Sequence, residues 1–315
     1  MSVFVLRLGA VFVFTAAALL AFGRPCTAQG EAPRILALLS HGAAPYREAL
    51  EGFRDELKRG GLDAAVDEVE LEGYPAKASA AVQELSAGKT KLVLALGTVA
   101  TEAASGQSAV PVAAGMILRP EALLRGKNAA GVSVLLPVET QFQWMRRILP
   151  DRKRAGVLFN PAENAGLVDS ARKAAKESGF ELEAVEVGSP KDLPDAMTAI
   201  GKRADVLWGV PDNTVFTPQT AKAILLFSFR NRIPLAGLSE AWAKAGALYS
   251  LDPDYKDLGA QCGEIALQVL RGKDARSIPV GFPRKLRLSL NLKTAKQMMI
   301  EVPQDAVRSA SSVVE

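Results

Sequence analysis

Leu92-Val93-Leu94-Ala95-Leu96-Gly97-Thr98-Val99-Ala100-Thr101 is the stretch that decides the fold. Its first five residues are apolar without alternation, which describes a strand covered on both faces, the habit of a parallel sheet between helical layers. Gly97 permits a tight turn and Thr98 is an N-cap type, so a helix begins where the strand stops. The same order recurs at 155–159, followed by the corner Asn160-Pro161-Ala162-Glu163-Asn164. Working outward, strand patterns fall at 34–39, 64–70, 92–96, 110–115, 129–133, 155–159, 181–187, 206–210, 235–237 and 247–250. Helix-period spacing fills 45–60, 76–87, 99–105, 139–149, 164–178, 191–199, 217–232 and 254–270. This cadence predicts an α/β protein with doubly wound parallel sheets.

Two halves are legible. Gly131-Val132-Ser133 and Pro137 close a first run of five strand-helix steps, and a second run starts at Arg154. Two tandem open sheets present their carboxyl-end loops to a shared cleft, where ligands of such sheets bind. The helical pattern at 254–270 and a late strand at 284–290 exceed two complete lobes, so the chain is expected to cross back. The predicted division is 33–133 plus about 252–278 for the first lobe and 134–251 plus about 280–292 for the second. The stretch 293–315 is expected to be a C-terminal tail with one short helix, a break at Pro303 and a frayed end.

Residues 1–28 carry Arg7, an apolar run from Leu8 to Phe22 and a short segment ending Cys26-Thr27-Ala28. That is the pattern of a secretory signal peptide cleaved near Ala28, and the run is shorter than the roughly 20 residues of a membrane span. An uncleaved anchor and lipidation at Cys26 are the alternatives; Phe22-Gly23-Arg24-Pro25 lacks the small residues that precede a lipidated cysteine. A periplasmic location is therefore expected. Losing Arg7 and Arg24 lowers the formal charge from +4 to +2, and basic and acidic residues alternate thereafter, so no nucleic-acid partner is indicated. Cys262 alone would remain, among apolar neighbours, and reads as a small buried hydrophobe.

Four strand-end corners carry polar or small residues. The first is Ser40-His41-Gly42-Ala43-Ala44-Pro45-Tyr46, holding the only histidine, which is either a cleft-lining or a plain surface residue. At the second, the free N–H groups after Gly97 and Thr98 suit an anionic group such as a carboxylate. The third, Asn160 to Asn164, and the fourth, Val210-Pro211-Asp212-Asn213-Thr214, each place a carboxylate (Glu163, Asp212) beside a carboxamide (Asn160, Asn213). Such pairs suit a ligand ammonium and its neighbours, although both corners are also good turn formers. Trp144, Trp208 and Trp242 read as core, with Trp242 the candidate for lining the cleft.

Catalysis has little to draw on. One histidine excludes paired-histidine metal sites, and neither a dinucleotide fingerprint nor a P-loop is present, so no metal and no cofactor is expected. Glu163 with Asp212 is a carboxylate pair whose spacing does not demand acid–base chemistry, and a non-enzyme is expected.

At these corners the chain resembles the ABC-type substrate-binding proteins of the tryptophan/tyrosine-type group. The resemblance runs from about 34 to 303 and rests on Leu96-Gly97-Thr98, Gly131-Val132-Ser133, Val157-Leu158-Phe159-Asn160-Pro161-Ala162-Glu163-Asn164, Pro211-Asp212-Asn213, Gly246-Ala247-Leu248-Tyr249-Ser250, Asp254-Tyr255-Lys256-Asp257-Leu258-Gly259 and Leu270-Arg271-Gly272-Lys273. It implies a type I periplasmic-binding fold that closes by hinging on an amino-acid-like ligand between the lobes and delivers it to a membrane permease. A monomer is expected. The resemblance implies that Gly97, Thr98, Asn160, Glu163, Asp212 and Asn213 line the ligand; Ser40, His41, Met116 and Glu240 join them on topology. Met116-Ile117-Leu118-Arg119-Pro120 stands where the family has an Asp-Pro turn, so Met116 and Arg119 give the pocket another shape and charge. The alternative role on the same scaffold is a sensory or accessory ligand-binding module for a membrane signalling partner.

Overall fold

Every second residue of the first strand goes to a different core, and that alternation sets the layers. A computed structural model of the protein describes residues 1, 32–84, 89–107, 110–118 and 128–315. The expected signal peptide, 1–28, and Arg119 lie outside the described residues, Met1 aside. Strand β1 (Arg34–Leu39) sends Ile35, Ala37 and Leu39 to one face and Leu36 and Leu38 to the other. Its neighbour β3 (Thr90–Leu96) does the same, with Leu92, Leu94 and Leu96 against Val93 and Ala95. With β2 (Ala65–Glu70), β4 (Val112–Ile117) and β5 (Ala129–Ser133) they form a wholly parallel sheet in the order β2-β1-β3-β4-β5. Helices α2 (Pro75–Glu84) and α3 (Thr98–Gln107) cover one face, and α1 (Ala44–Arg59) covers the other.

The chain then passes through 134–137 into a second sheet. Helix α4 (Val138–Ile148) leads to β6 (Arg154–Phe159), α5 (Pro161–Glu177), β7 (Glu181–Glu186), α6 (Leu193–Gly201) and β8 (Val206–Trp208). Helix α7 (Ala221–Asn231), β9 (Leu235–Gly237), α8 (Glu240–Ala245) and β10 (Tyr249–Pro253) follow. From β10 the chain returns to the first sheet as α9 (Tyr255–Leu270), then comes back as β11 (Leu286–Asn291). Helices α10 (Leu292–Met298) and α11 (Gln304–Ser309) and strand β12 (Ser312–Val314) end the chain. The sheet order is β12-β11-β10-β9-β8-β6-β7.

Two features depart from the sequence expectation. Strand β11 runs antiparallel to β10, with β12 parallel to β11, so the second sheet is parallel only from β7 to β10. Because β11 arrives from the other lobe, no helical crossover on this sheet dictates its direction. The segment expected as a frayed tail is built into the lobe: Val302 and Ala306 are buried, Asp305 pairs with Arg147, and β12 extends the sheet edge.

What draws α9 back is a backbone contact with α1. A Cβ on Gly259 would stand 1.8 Å from the Ala49 carbonyl oxygen, and one on Gly52 would stand 1.8 Å from that of Lys256. The two helices therefore touch main chain to main chain, a distance only glycine allows. Cys262, one turn further, hydrogen-bonds weakly to the Ala114 carbonyl at 3.5 Å, and burial pushes its thiol up to about 12, as suits a packing residue. Gly259→Ala is expected to lower unfolding stability by roughly 2–4 kcal/mol in urea titrations through overpacking; a loss within experimental error would contradict this contact.

Candidate ligand-binding cleft

The third and fourth corners meet at one carboxylate. Asp212, 6% exposed, follows β8, and its Oδ2 accepts hydrogen bonds from Asn160 N at 2.6 Å and Asn164 Nδ2 at 2.9 Å. Its Oδ1 accepts from Thr214 N and Val215 N, both at 2.8 Å. Four donors match the roughly four acceptor directions a carboxylate offers. Asn160 caps α5 through Ala162 N and donates to Thr214 Oγ1 at 2.8 Å, while Asn164 also donates to the Pro211 carbonyl at 3.0 Å. Nearer solvent, Asn213 donates from N and Nδ2 to Glu163 Oε2 at 3.3 and 2.9 Å. Four of the five second-lobe candidates, Asn160, Glu163, Asp212 and Asn213, thus form one connected group. The sequence expectation had Asp212 pairing with a ligand ammonium; instead its oxygens are engaged by the protein's own donors.

In the first lobe, Ser40, Gly97 and Thr98 also come together. The Ser40 hydroxyl accepts from Ala100 N at 3.1 Å, so the oxygen capping the first turn of α3 comes from the end of β1, where Thr98 was the expected cap. Gly97 has φ +92°, and a Cβ there would lie 2.6 Å from Ser40 Oγ. His41 is exposed and meets Tyr46 edge to face at 5.9 Å between ring centres. Met116 and Glu240 stand apart. Met116 occupies a bulge in β4 with φ +58°, an uncommon backbone state for a residue with a side chain, and its side chain joins the core under α1 and α9. Beyond the bulge, Leu118 lines the cavity and Met116 does not. Glu240 opens α8, pairs with Lys244 at 2.9 Å and bonds to Ser312; these contacts, that with Lys244 the largest, hold its carboxyl below the usual range.

The cavity itself lies beyond the carboxyl ends of β8, β9 and β10 and measures about 180 Å³. Trp208, Gly209 and Pro211 form one wall and Gly237 and Leu238 another; Tyr249, Leu251 and Pro253 project from β10. The first lobe contributes Leu118, and the crossings contribute Val134, Leu135, Leu136 and Tyr255. Its described lining includes no ionised side chain. Trp208 Nε1 donates to Gln141 Oε1 and Gln141 Nε2 to the Leu136 carbonyl, both at 2.8 Å, which ties the cavity wall to the first crossing. The Tyr255 hydroxyl donates to Asp252 Oδ1 at 3.3 Å, and Ser250 Oγ donates to Oδ2 at 3.0 Å. Burial pushes the Asp252 carboxyl up, and burial also raises the Tyr255 hydroxyl.

Sequence reading missed most of this lining. It favoured Trp242, which instead meets Phe216 edge to face at 5.7 Å; Trp208, read as core, is buried in the second-lobe core and also borders the cavity. A tryptophan and a tyrosine at strand ends, Trp208 and Tyr249, were the available signal.

Two open α/β sheets, a cavity against the chain crossings and a lining drawn from both lobes define a two-lobed small-molecule receptor scaffold. Over residues 34–314 the chain matches the model of the ABC transporter substrate binding protein family, and it belongs to that family. A tyrosine-binding protein of Clostridioides difficile is 28% identical over 190 residues, 60% of this chain and 54% of that protein, so the match spans about half the length of that relative. Among solved structures, a Streptococcus pneumonia ABC domain in complex with L-Trp has a TM-score of 0.67 at 23% identity, covering 90% of this chain and 99% of that one. The ligand-free, open structure of a Clostridium difficile substrate binding protein with adhesive properties has a TM-score of 0.76 at 19% identity, covering 90% and 99%. The fold is of the type I periplasmic-binding class.

Asp212→Asn would set an amide N–H₂ against the donors of Asn160 and Asn164. It is expected to destabilise the protein by roughly 2–4 kcal/mol in denaturant unfolding; wild-type stability would show that the carboxylate is not what joins the corners.

Proposed function

We propose that this protein is the exported solute-capturing component of an ABC importer, binding an amino-acid-sized ligand with an apolar side chain and passing it chemically unchanged to a membrane permease. The observation that carries this reading is the cavity of about 180 Å³, its described lining free of ionised side chains, with walls from both lobes and from the crossings. A ligand that touches Leu118 on one side and Trp208 and Leu238 on the other is worth more to a closed arrangement than to an open one, so binding shifts the population toward closure. The first turn of α3, at Ser40, Gly97 and Thr98, is suited to the carboxylate, and Asn160, Glu163 and Asn213 to the polar rim opposite. On this reading Asp212 shapes the rim from beneath. His41 reaches the Gly97 corner only through Tyr46, whereas Met116 and Glu240 support neighbouring elements.

The tyrosine-binding relative and the L-Trp complex support an aromatic amino acid as the ligand. The family and the N-terminal pattern together support export to the periplasm, with cleavage near Ala28. Thermal-shift and calorimetric screens of amino acids, sugars, nucleosides and organic acids test the assignment. L-Tyrosine or L-tryptophan at a hundred times its Kd is expected to add about 2.7 kcal/mol of stability. Leu118→Asp, at a position 43% exposed in the free protein, is expected to weaken that binding roughly tenfold or more with little effect on folding. Binding of a sugar and of no amino acid, or unchanged affinity in Leu118→Asp, would contradict it.

A further inference from the structure

One side-chain polar group on the cavity wall has no hydrogen-bond partner among the described residues. Four lining side chains carry hydrogen-bonding atoms. Gln141 is used at both ends, Trp208 is used by Gln141, and Tyr255 is used by Asp252. The fourth is Tyr249. It is 2% exposed, and its hydroxyl makes no hydrogen bond among the described residues. Among the described residues, the fully enclosed side-chain atoms without a partner are Ser105 Oγ and Gln261 Oε1; the Tyr249 oxygen is not one of them, so what little of this residue is accessible includes its hydroxyl. Strand parity says where that accessible part faces. Tyr249, Leu251 and Pro253 alternate along β10 and all three line the cavity, while Ser250 and Asp252, on the opposite face, bond to each other.

A buried hydroxyl without a partner is costly, and almost all buried polar groups in folded proteins have one. Building on the aromatic amino-acid reading above, we propose that the Tyr249 hydroxyl is a specificity-determining group, which hydrogen-bonds a polar atom at the tip of the ligand's apolar body. The occupant is then a ring that ends in a hydroxyl or an N–H, a phenol or an indole, in preference to a bare phenyl ring. Tyr249 suits either partner, because a phenol both donates and accepts. Burial raises its own ionisation far above the normal range, so it keeps that dual character at any physiological pH. A site that supplies a partner for such a group rejects the analogue lacking it, because the ligand that cannot bond leaves the protein's hydroxyl dry and unpaired.

The test is calorimetric titration of the full protein and of Tyr249→Phe with L-tyrosine, L-tryptophan and L-phenylalanine. Wild type is expected to prefer L-tyrosine or L-tryptophan over L-phenylalanine by about tenfold or more, and Tyr249→Phe to bring that ratio within about twofold of one. The same ratio in both proteins, or no preference in the wild type, overturns the inference while leaving the amino-acid reading intact. Binding of none of the three by wild type overturns both. Ligand-free Tyr249→Phe should melt at the wild-type temperature or above it, since the removed hydroxyl has no partner to lose. A clear fall in melting temperature would mean that the hydroxyl serves the fold and would also overturn the inference.

Discussion

The cleft exists because α9 is pinned to α1. Gly52 and Gly259 let the carbonyls of Lys256 and Ala49 sit where side chains would otherwise be, and the contact commits a segment late in the chain to the first lobe. Once that is fixed, the polypeptide must cross between lobes three times, through 134–137, at Asp254 and through 271–285. The crossings are tied together: Asp254 N donates to the Lys285 carbonyl at 2.9 Å, and Gly281 pairs with the end of β5. The first two crossings also border the cavity, through Leu135, Leu136 and Tyr255. The cavity wall and the lobe crossings therefore share the same backbone.

Electrostatics divides into a rigid part and a yielding part. The Asp212 group is buried and saturated, and it holds the ends of β6 and β8 as one unit. Across the lobes the link is different. Arg287 on β11 pairs with Glu48 on α1 at 2.7 Å and with Asp254 in the second crossing at 3.3 Å. All three side chains are at least partly exposed, and exposed pairs contribute about 0–1 kcal/mol. Such a link biases the lobes without locking them, which is compatible with the closure proposed above.

Much of the fold was legible because it follows from apolar periodicity. The strands at 34–39 and 235–237 fall where the pattern put them, as does the corner after Leu96. The edge strand β12 was not, since Ser312-Val313-Val314 is too short to carry a pattern and exists through its pairing with β11. At the site, sequence placed the right residue types at strand ends but not their partners. Nothing in Pro211-Asp212-Asn213 announces that Asn160 and Asn164 will occupy the carboxylate from a helix about 50 residues away. Met116 was misplaced for a comparable reason: a bulge shifts facing by one residue and leaves no compositional mark. Tyr249 opens β10, and its strand-end position hints at the site, but only the structure shows that it faces the cavity with Leu251 and Pro253.

The central claim is that one ligand bridges both lobes and draws them together. Small-angle X-ray scattering with and without a saturating ligand, its binding established by calorimetry, measures this directly. The account predicts a smaller radius of gyration and a shortened maximum dimension in the bound state. Identical scattering from the free and fully bound protein would contradict it.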